Sequence, residues 1–188
     1  MTWSWIPNAI TLVRIVLVLP TAWLLWQRDY RSALWLMAIA GSSDALDGWL
    51  ARRFHWQSRL GAALDPVADK LLVAVMFVVF TLQGQIPLAV ALIVLGRDFV
   101  ILSGAVIYRL LYGPYDLSPT FVSKANTAMQ IVTVLFAMLE LCDFGAVSAV
   151  AGQILNPYCF YVLAVLGLVS GTDYIVTWGR RAWHNSRG

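Results

Sequence analysis

The chain has 188 residues, 60% of them hydrophobic and 12% charged, with a formal net charge of +3. That balance excludes an ordinary soluble domain and leaves no room for a soluble catalytic module beside a membrane part. The basic residues sit in short loops and form no continuous stripe, which excludes nucleic acid as a partner. Six apolar stretches are long enough to cross a bilayer at roughly 20 residues each. They fall at about Pro7–Trp26, Ala33–Leu50, Leu60–Leu82, Ile86–Leu111, Phe121–Leu141 and Pro157–Trp178. The expected fold is all-α: a polytopic integral membrane protein with six transmembrane helices, and a single domain over residues 1–188.

The first stretch opens Pro7-Asn8-Ala-Ile-Thr11-Leu-Val-Arg14, with Thr11 and Arg14 on one helical face. Arg14 either snorkels to headgroups or points into a polar site. No basic segment precedes this stretch and no small-residue cleavage site follows, so a cleaved signal is not expected.

The second and third stretches carry the densest signal. Four of the ten acidic residues lie between Asp44 and Asp69. Asp44 and Asp47 are three apart, and Asp65 and Asp69 are four apart, so each pair shares a helix face. Two facing helices would bring four carboxylates together at a level where ionisable groups are kept for function. Hard oxygen ligands suit magnesium, manganese or calcium. Gly48 and Ala51 leave one face bare, for a neighbouring helix or for a ligand that approaches the backbone. Arg52 lies one turn past Gly48, within reach of a phosphate. Gly61 precedes Asp65 by one turn, and Lys70 follows Asp69 at about 100° around the helix, facing a different partner.

Arg97-Asp98 interrupts the fourth stretch, either as a self-compensating pair or as an anion-binding arginine with Asp98 as its orienter. Arg109, Ser118, Ser123, Lys124 and Asn126 then gather polar groups around the start of the fifth. Segment Cys142–Asn156 reads as a loop without basic residues. Cys142 and Cys159 read as small packing residues. With six spans the termini share a side. That side carries Arg52, Arg53, Arg59, Arg109, Lys124, Arg180, Arg181 and Arg187, against Arg28 and Arg31 opposite. The positive-inside rule puts both termini and the aspartates on the cytoplasmic side. The nine tryptophans cluster towards span ends, as an aromatic belt would.

The segment from Asp44 to Asp69 matches, without a mismatch, the signature D-x2-D-G-x2-A-R-x8-G-x3-D-x3-D. In this the chain resembles the CDP-alcohol phosphatidyltransferases, and the resemblance runs over nearly its whole length. Residues Ser118–Gln130, with Pro119-Thr120, Ser123-Lys124, Asn126-Thr127-Ala128 and Gln130, look most like the cardiolipin synthase branch of mitochondrial and actinobacterial type. The phosphatidylglycerophosphate synthases usually have Gly-Lys-x-Lys-Thr here, and this chain lacks the second lysine.

The resemblance implies six transmembrane helices, a homodimer, and a site facing the cytoplasm in the plasma membrane of a bacterium. It implies that Asp44, Asp47, Asp65 and Asp69 hold Mg²⁺ or Mn²⁺, two ions in all, with Asp69 also the general base. Gly48, Ala51, Arg52 and Gly61 would line the CDP-diacylglycerol site. Arg14, Arg97, Arg109 and Lys124 are the cations available to the acceptor. The expected reaction is attack by the hydroxyl of phosphatidylglycerol on CDP-diacylglycerol, giving cardiolipin and CMP. The alternative acceptor is glycerol 3-phosphate. A remote alternative is an ion transporter, disfavoured because both carboxylate pairs lie away from the bilayer midplane, where transport sites sit.

Overall fold

A computed structural model describes residues 5–54, 59–112 and 120–185. The side chains of residues 5–12, 14, 43–54, 59–69, 105, 107–112, 175 and 178–185 lie outside that description. The described chain is helical: α1 (Trp5–Trp26), α2 (Tyr30–Phe54), α3 (Arg59–Leu82), α4 (Leu88–Tyr112), α5 (Phe121–Leu141), α6 (Ala146–Gln153) and α7 (Phe160–Asn185). A π-helical turn, Ile154–Cys159, joins α6 to α7. No strand occurs among the described residues.

Tight turns reverse the chain at one end of the bundle. Between α1 and α2, Arg28 takes a left-handed conformation (φ 62°), and the Asp29 carboxylate accepts from the Ser32 amide at 3.2 Å, capping α2. Between α3 and α4, Gly84 at φ 76° ends α3 as glycine does at helix C-termini. The Pro87 carbonyl then accepts from the Val90 and Ala91 amides to start α4. Between α5 and α6, Asp143 and Gly145 both have positive φ. Here Ser148 Oγ accepts from the Phe144 amide and donates to the Leu139 carbonyl.

Arg31 spans this end of the bundle. It donates from Nε to the Cys142 carbonyl at 2.8 Å and from Nη2 to that of Asp143, and its guanidinium lies over the Phe144 ring at 5.4 Å. Gln83 ties α1 to α3 by donating to the Leu25 carbonyl and accepting from the Tyr30 hydroxyl. Burial pushes the Cys142 thiol up despite the nearby Arg31 charge, which leaves it a protonated packing group.

The apolar core lies towards the same end. Leu25, Met76, Phe77, Phe80, Ile86, Val94, Met138 and Leu163 are buried there. α3 packs on α1, and α7 packs on α4 and α5. Outside the core, every long helix shows apolar side chains: Leu19 is 73% exposed, Trp35 69% and Phe99 72%. A soluble monomer rarely exposes so much contiguous apolar surface, whereas a lipid-facing surface requires it. Trp23, Trp26 and Trp35 are exposed at the turn end, where a belt of interfacial aromatics belongs.

One expectation is met in part and a second needs correction. The described chain is all-helical, as expected, and among the described residues two segments are long and apolar enough to cross a membrane, Phe121–Leu141 and Ala146–Tyr174; the other four expected spans include side chains outside that description. The second concerns Cys142–Asn156. It is not all loop: after the turn through Asp143 and Gly145, α6 occupies Ala146–Gln153, and the chain next leaves helical geometry at Asn156 (φ −116°, ψ 114°), before Pro157. Ala146-Val-Ser-Ala-Val-Ala carries no charge and folds back onto α5.

Candidate active site

Asp44, Asp47, Gly48, Ala51 and Arg52 fall within α2, and Gly61, Asp65 and Asp69 within α3. A helical backbone through both segments makes the three- and four-residue spacings into shared faces. The side chains of these residues, like those of Arg14 and Arg109, lie outside the described residues. Among the described residues, no group of three or more His, Cys, Asp or Glu side chains gathers.

The described part of the site begins one residue after Asp69. Lys70 Nζ donates to Asp98 Oδ1 on α4 at 2.9 Å. Asp98 is the node of a buried polar cluster. It also accepts from Arg97 Nη1 at 2.5 Å and from Gln130 Nε2 on α5 at 3.3 Å. The Arg97 side chain is 3% exposed. Its Nε and Nη2 donate to Ser170 Oγ on α7, and Nη2 also donates to Ser123 Oγ on α5. The Tyr174 ring stands 5.9 Å from the guanidinium carbon. Arg97 thus reaches two neighbouring helices, and each of its nitrogens donates to a described side chain. Among the described residues the cluster sets two cations, buried Arg97 and part-buried Lys70, against the one carboxylate of Asp98.

α5 supplies its share from a single face. Thr120 caps the helix by accepting from the Ser123 amide at 3.3 Å. Ser123, Asn126, Gln130 and Thr133 then follow at helical spacing, all buried. Lys124, on another face, is exposed.

Beside the cluster lies a groove of about 320 Å³ between α2, α3 and α5. Its walls are largely apolar, including Met37, Val73, Met76 and Val134, with Lys70, Thr127 and Gln130 as polar lining. Gly41 borders it one turn before Asp44, so the groove adjoins both aspartate-bearing segments.

Of the four cations expected at the acceptor, Arg97 is buried in the bonded cluster and Lys124 is exposed, so these two do not share one environment. The arginine-aspartate pair is self-compensating in part and also recruits Lys70. Sequence reasoning missed Ser170, Gln130 and Tyr174 as cluster members. Their signal was present, since Ser170 and Tyr174 lie four apart in the last apolar stretch and therefore share a face.

Residues 4–173 match the family model for CDP-alcohol phosphatidyltransferase. A human protein named cardiolipin synthase (CMP-forming) is 35% identical over 171 residues, covering 82% of this chain and 56% of that protein. A Streptomyces coelicolor protein of the same name is 34% identical over 145 residues, covering 73% of this chain and 66% of its own length. A Pseudomonas fluorescens CDP-diacylglycerol–glycerol-3-phosphate 3-phosphatidyltransferase is 40% identical over 106 residues, covering 51% of this chain and 52% of that protein. The chain spans about half the length of the human and Pseudomonas relatives. With the aspartate signature on two helices and a family match from residue 4 to residue 173, the chain belongs to the CDP-alcohol phosphatidyltransferase family.

Proposed function

We propose that the protein transfers the phosphatidyl group of CDP-diacylglycerol to the free hydroxyl of phosphatidylglycerol, giving cardiolipin and CMP. The observation that carries this choice of acceptor is the Lys70–Asp98–Arg97 cluster set beside a largely apolar groove. A phosphodiester lipid brings one negative charge and acyl chains. Glycerol 3-phosphate brings nearly two charges and no chain, and favours several cations around a small aqueous pocket. The likeness to cardiolipin synthases from human and Streptomyces supports the same reading.

Asp44, Asp47, Asp65 and Asp69 are the proposed holders of two Mg²⁺ or Mn²⁺ ions. Their chemistry fits: the donors are hard carboxylate oxygens, and no histidine or cysteine stands within Asp44–Arg52 or Gly61–Asp69. When bound, such ions neutralise charge that develops on the pyrophosphate and the leaving CMP. The chain's own residues do the rest. Arg52 contacts phosphate oxygens through its planar fork, and Gly48, Ala51 and Gly61 let the nucleotide approach the backbone. Asp69 takes the proton from the acceptor hydroxyl. The acceptor's oxygen then forms a bond to the phosphatidyl phosphorus as the bond to CMP breaks, without a covalent enzyme intermediate. Arg14, Arg97, Arg109 and Lys124 make the acceptor side cationic. The proposed setting is the bacterial plasma membrane, with α1 to α5 and α7 spanning it and the site open to the cytoplasm.

The 40% identity to the Pseudomonas glycerol-3-phosphate enzyme favours a second reading in which glycerol 3-phosphate is the acceptor. Purified protein given CDP-diacylglycerol and phosphatidylglycerol should form cardiolipin and CMP in equal amounts. CMP release without cardiolipin would overturn the first reading.

A further inference from the structure

The buried face of α5 contains one group whose bonding capacity is unspent. Ser123, three residues before Asn126, accepts from Arg97, and Gln130, four residues after it, donates to Asp98. Between them Asn126 is 0% exposed, yet neither its Nδ2 nor its Oδ1 has a hydrogen-bond partner among the described residues. Buried amides are nearly always bonded, so one with both ends open needs an explanation. Across from it, α7 presents Gly167. A methyl group there would stand 3.8 Å from Asn126 Oδ1 and 2.7 Å from Ile93 Cγ2, so the glycine keeps a side chain out of this level of the bundle.

We infer that Asn126 is the recognition group of a site for a single hydroxyl, set one turn from the Arg97 cluster. The chemistry of the amide selects the ligand class. A carboxamide both donates and accepts, and so does a hydroxyl. A phosphate oxygen only accepts and an ammonium only donates, so either would leave one end of the amide open. The hydroxyl comes from the acceptor alcohol or from a water molecule. On the proposed function it is that of the glycerol headgroup, with Arg97 and Lys70 holding the charge nearby and Asn126 reading the alcohol.

The test replaces Asn126 by leucine, of similar size and without polar atoms. It reads the KM for each substrate together with the thermal midpoint of the substrate-free protein in detergent. We expect Asn126→Leu to raise the KM for the acceptor about tenfold, as loss of a hydrogen bond or two does, and to leave the KM for CDP-diacylglycerol unchanged. Asn126→Ser, which keeps a donor and an acceptor, should recover part of the loss. If both KM values hold and the midpoint falls by about 3 °C, the hydroxyl is water's and the site stands as a hydration site. Unchanged KM values with a midpoint that is level or raised overturn the inference, because the amide is then silent. If the leucine variant does not fold, Asn126→Ala against Asn126→Ser gives the same contrast in a smaller volume. Absence of transfer by the wild-type protein counts against the proposed function, while the midpoint still reads the site.

Discussion

Arg97 holds together more of the described site than any other side chain, and its bonds set what substitution does. Alanine would remove the donors to Ser123 and Ser170 and leave Asp98 with Lys70 and Gln130 alone. Breaking a buried ion pair from one side costs about 3 kcal/mol or more. Arg97→Ala should therefore lower the denaturation midpoint in detergent as well as weaken acceptor use. A full loss of acceptor use with an unchanged midpoint would contradict the structural part of its role. Asp69→Asn should lower kcat by about 10²–10⁴-fold while CDP-diacylglycerol binding is largely kept, since an amide cannot take the acceptor's proton. Retention of a tenth of the wild-type kcat would remove Asp69 from the base role. Arg52→Ala should raise the KM for CDP-diacylglycerol by the loss of a charge-assisted contact of about 1.5–3 kcal/mol, with lysine a partial substitute. An unchanged KM would move Arg52 away from the phosphates.

At the scale of elements, much was legible because helical spacing carries over directly from sequence. The aspartate segments fall on α2 and α3, and the apolar boundaries of α1, α3 and α5 lie within a residue or two of those expected. The partner of Lys70 was not legible. Adjacency to Asp69 excluded that residue as its facing neighbour, but Asp98 comes from a helix 28 residues on, and only packing brings it to 2.9 Å. Ser170 shares a helix face with Tyr174 in the sequence, but its bond to Arg97, 73 residues away, is likewise made only by packing. α6 was missed because a short run of alanine and valine between turn residues looks like any loop, and its place is set by contact with α5. The Arg31 clamp holds that turn by donating to the Cys142 and Asp143 carbonyls and lying over the Phe144 face. Arg31→Ala should destabilise the protein by about 1–2 kcal/mol, seen as a lower denaturation midpoint, and leave acceptor KM unchanged. A change in acceptor KM would mean that the turn end communicates with the site.

For the whole molecule, the structure separates two jobs along the bundle axis. Apolar packing and tight turns occupy one end, and the charged cluster lies beyond the core towards the other. In lipid the core is held by close packing and hydrogen bonds rather than by escape from water, which is why so many clamps are polar. The homodimer implied by the family resemblance is proposed on that resemblance, with mass measurement of the detergent-solubilised protein as its check. Chelation of divalent cations should abolish transfer, and Mg²⁺ or Mn²⁺ should restore it. Full turnover in excess chelator would remove the metals from the account. The measurement closest to the central claim is a competition: purified protein with CDP-diacylglycerol, offered phosphatidylglycerol and glycerol 3-phosphate together, with the lipid products resolved by mass spectrometry. The account predicts cardiolipin as the main product, and phosphatidylglycerophosphate with no cardiolipin would contradict it.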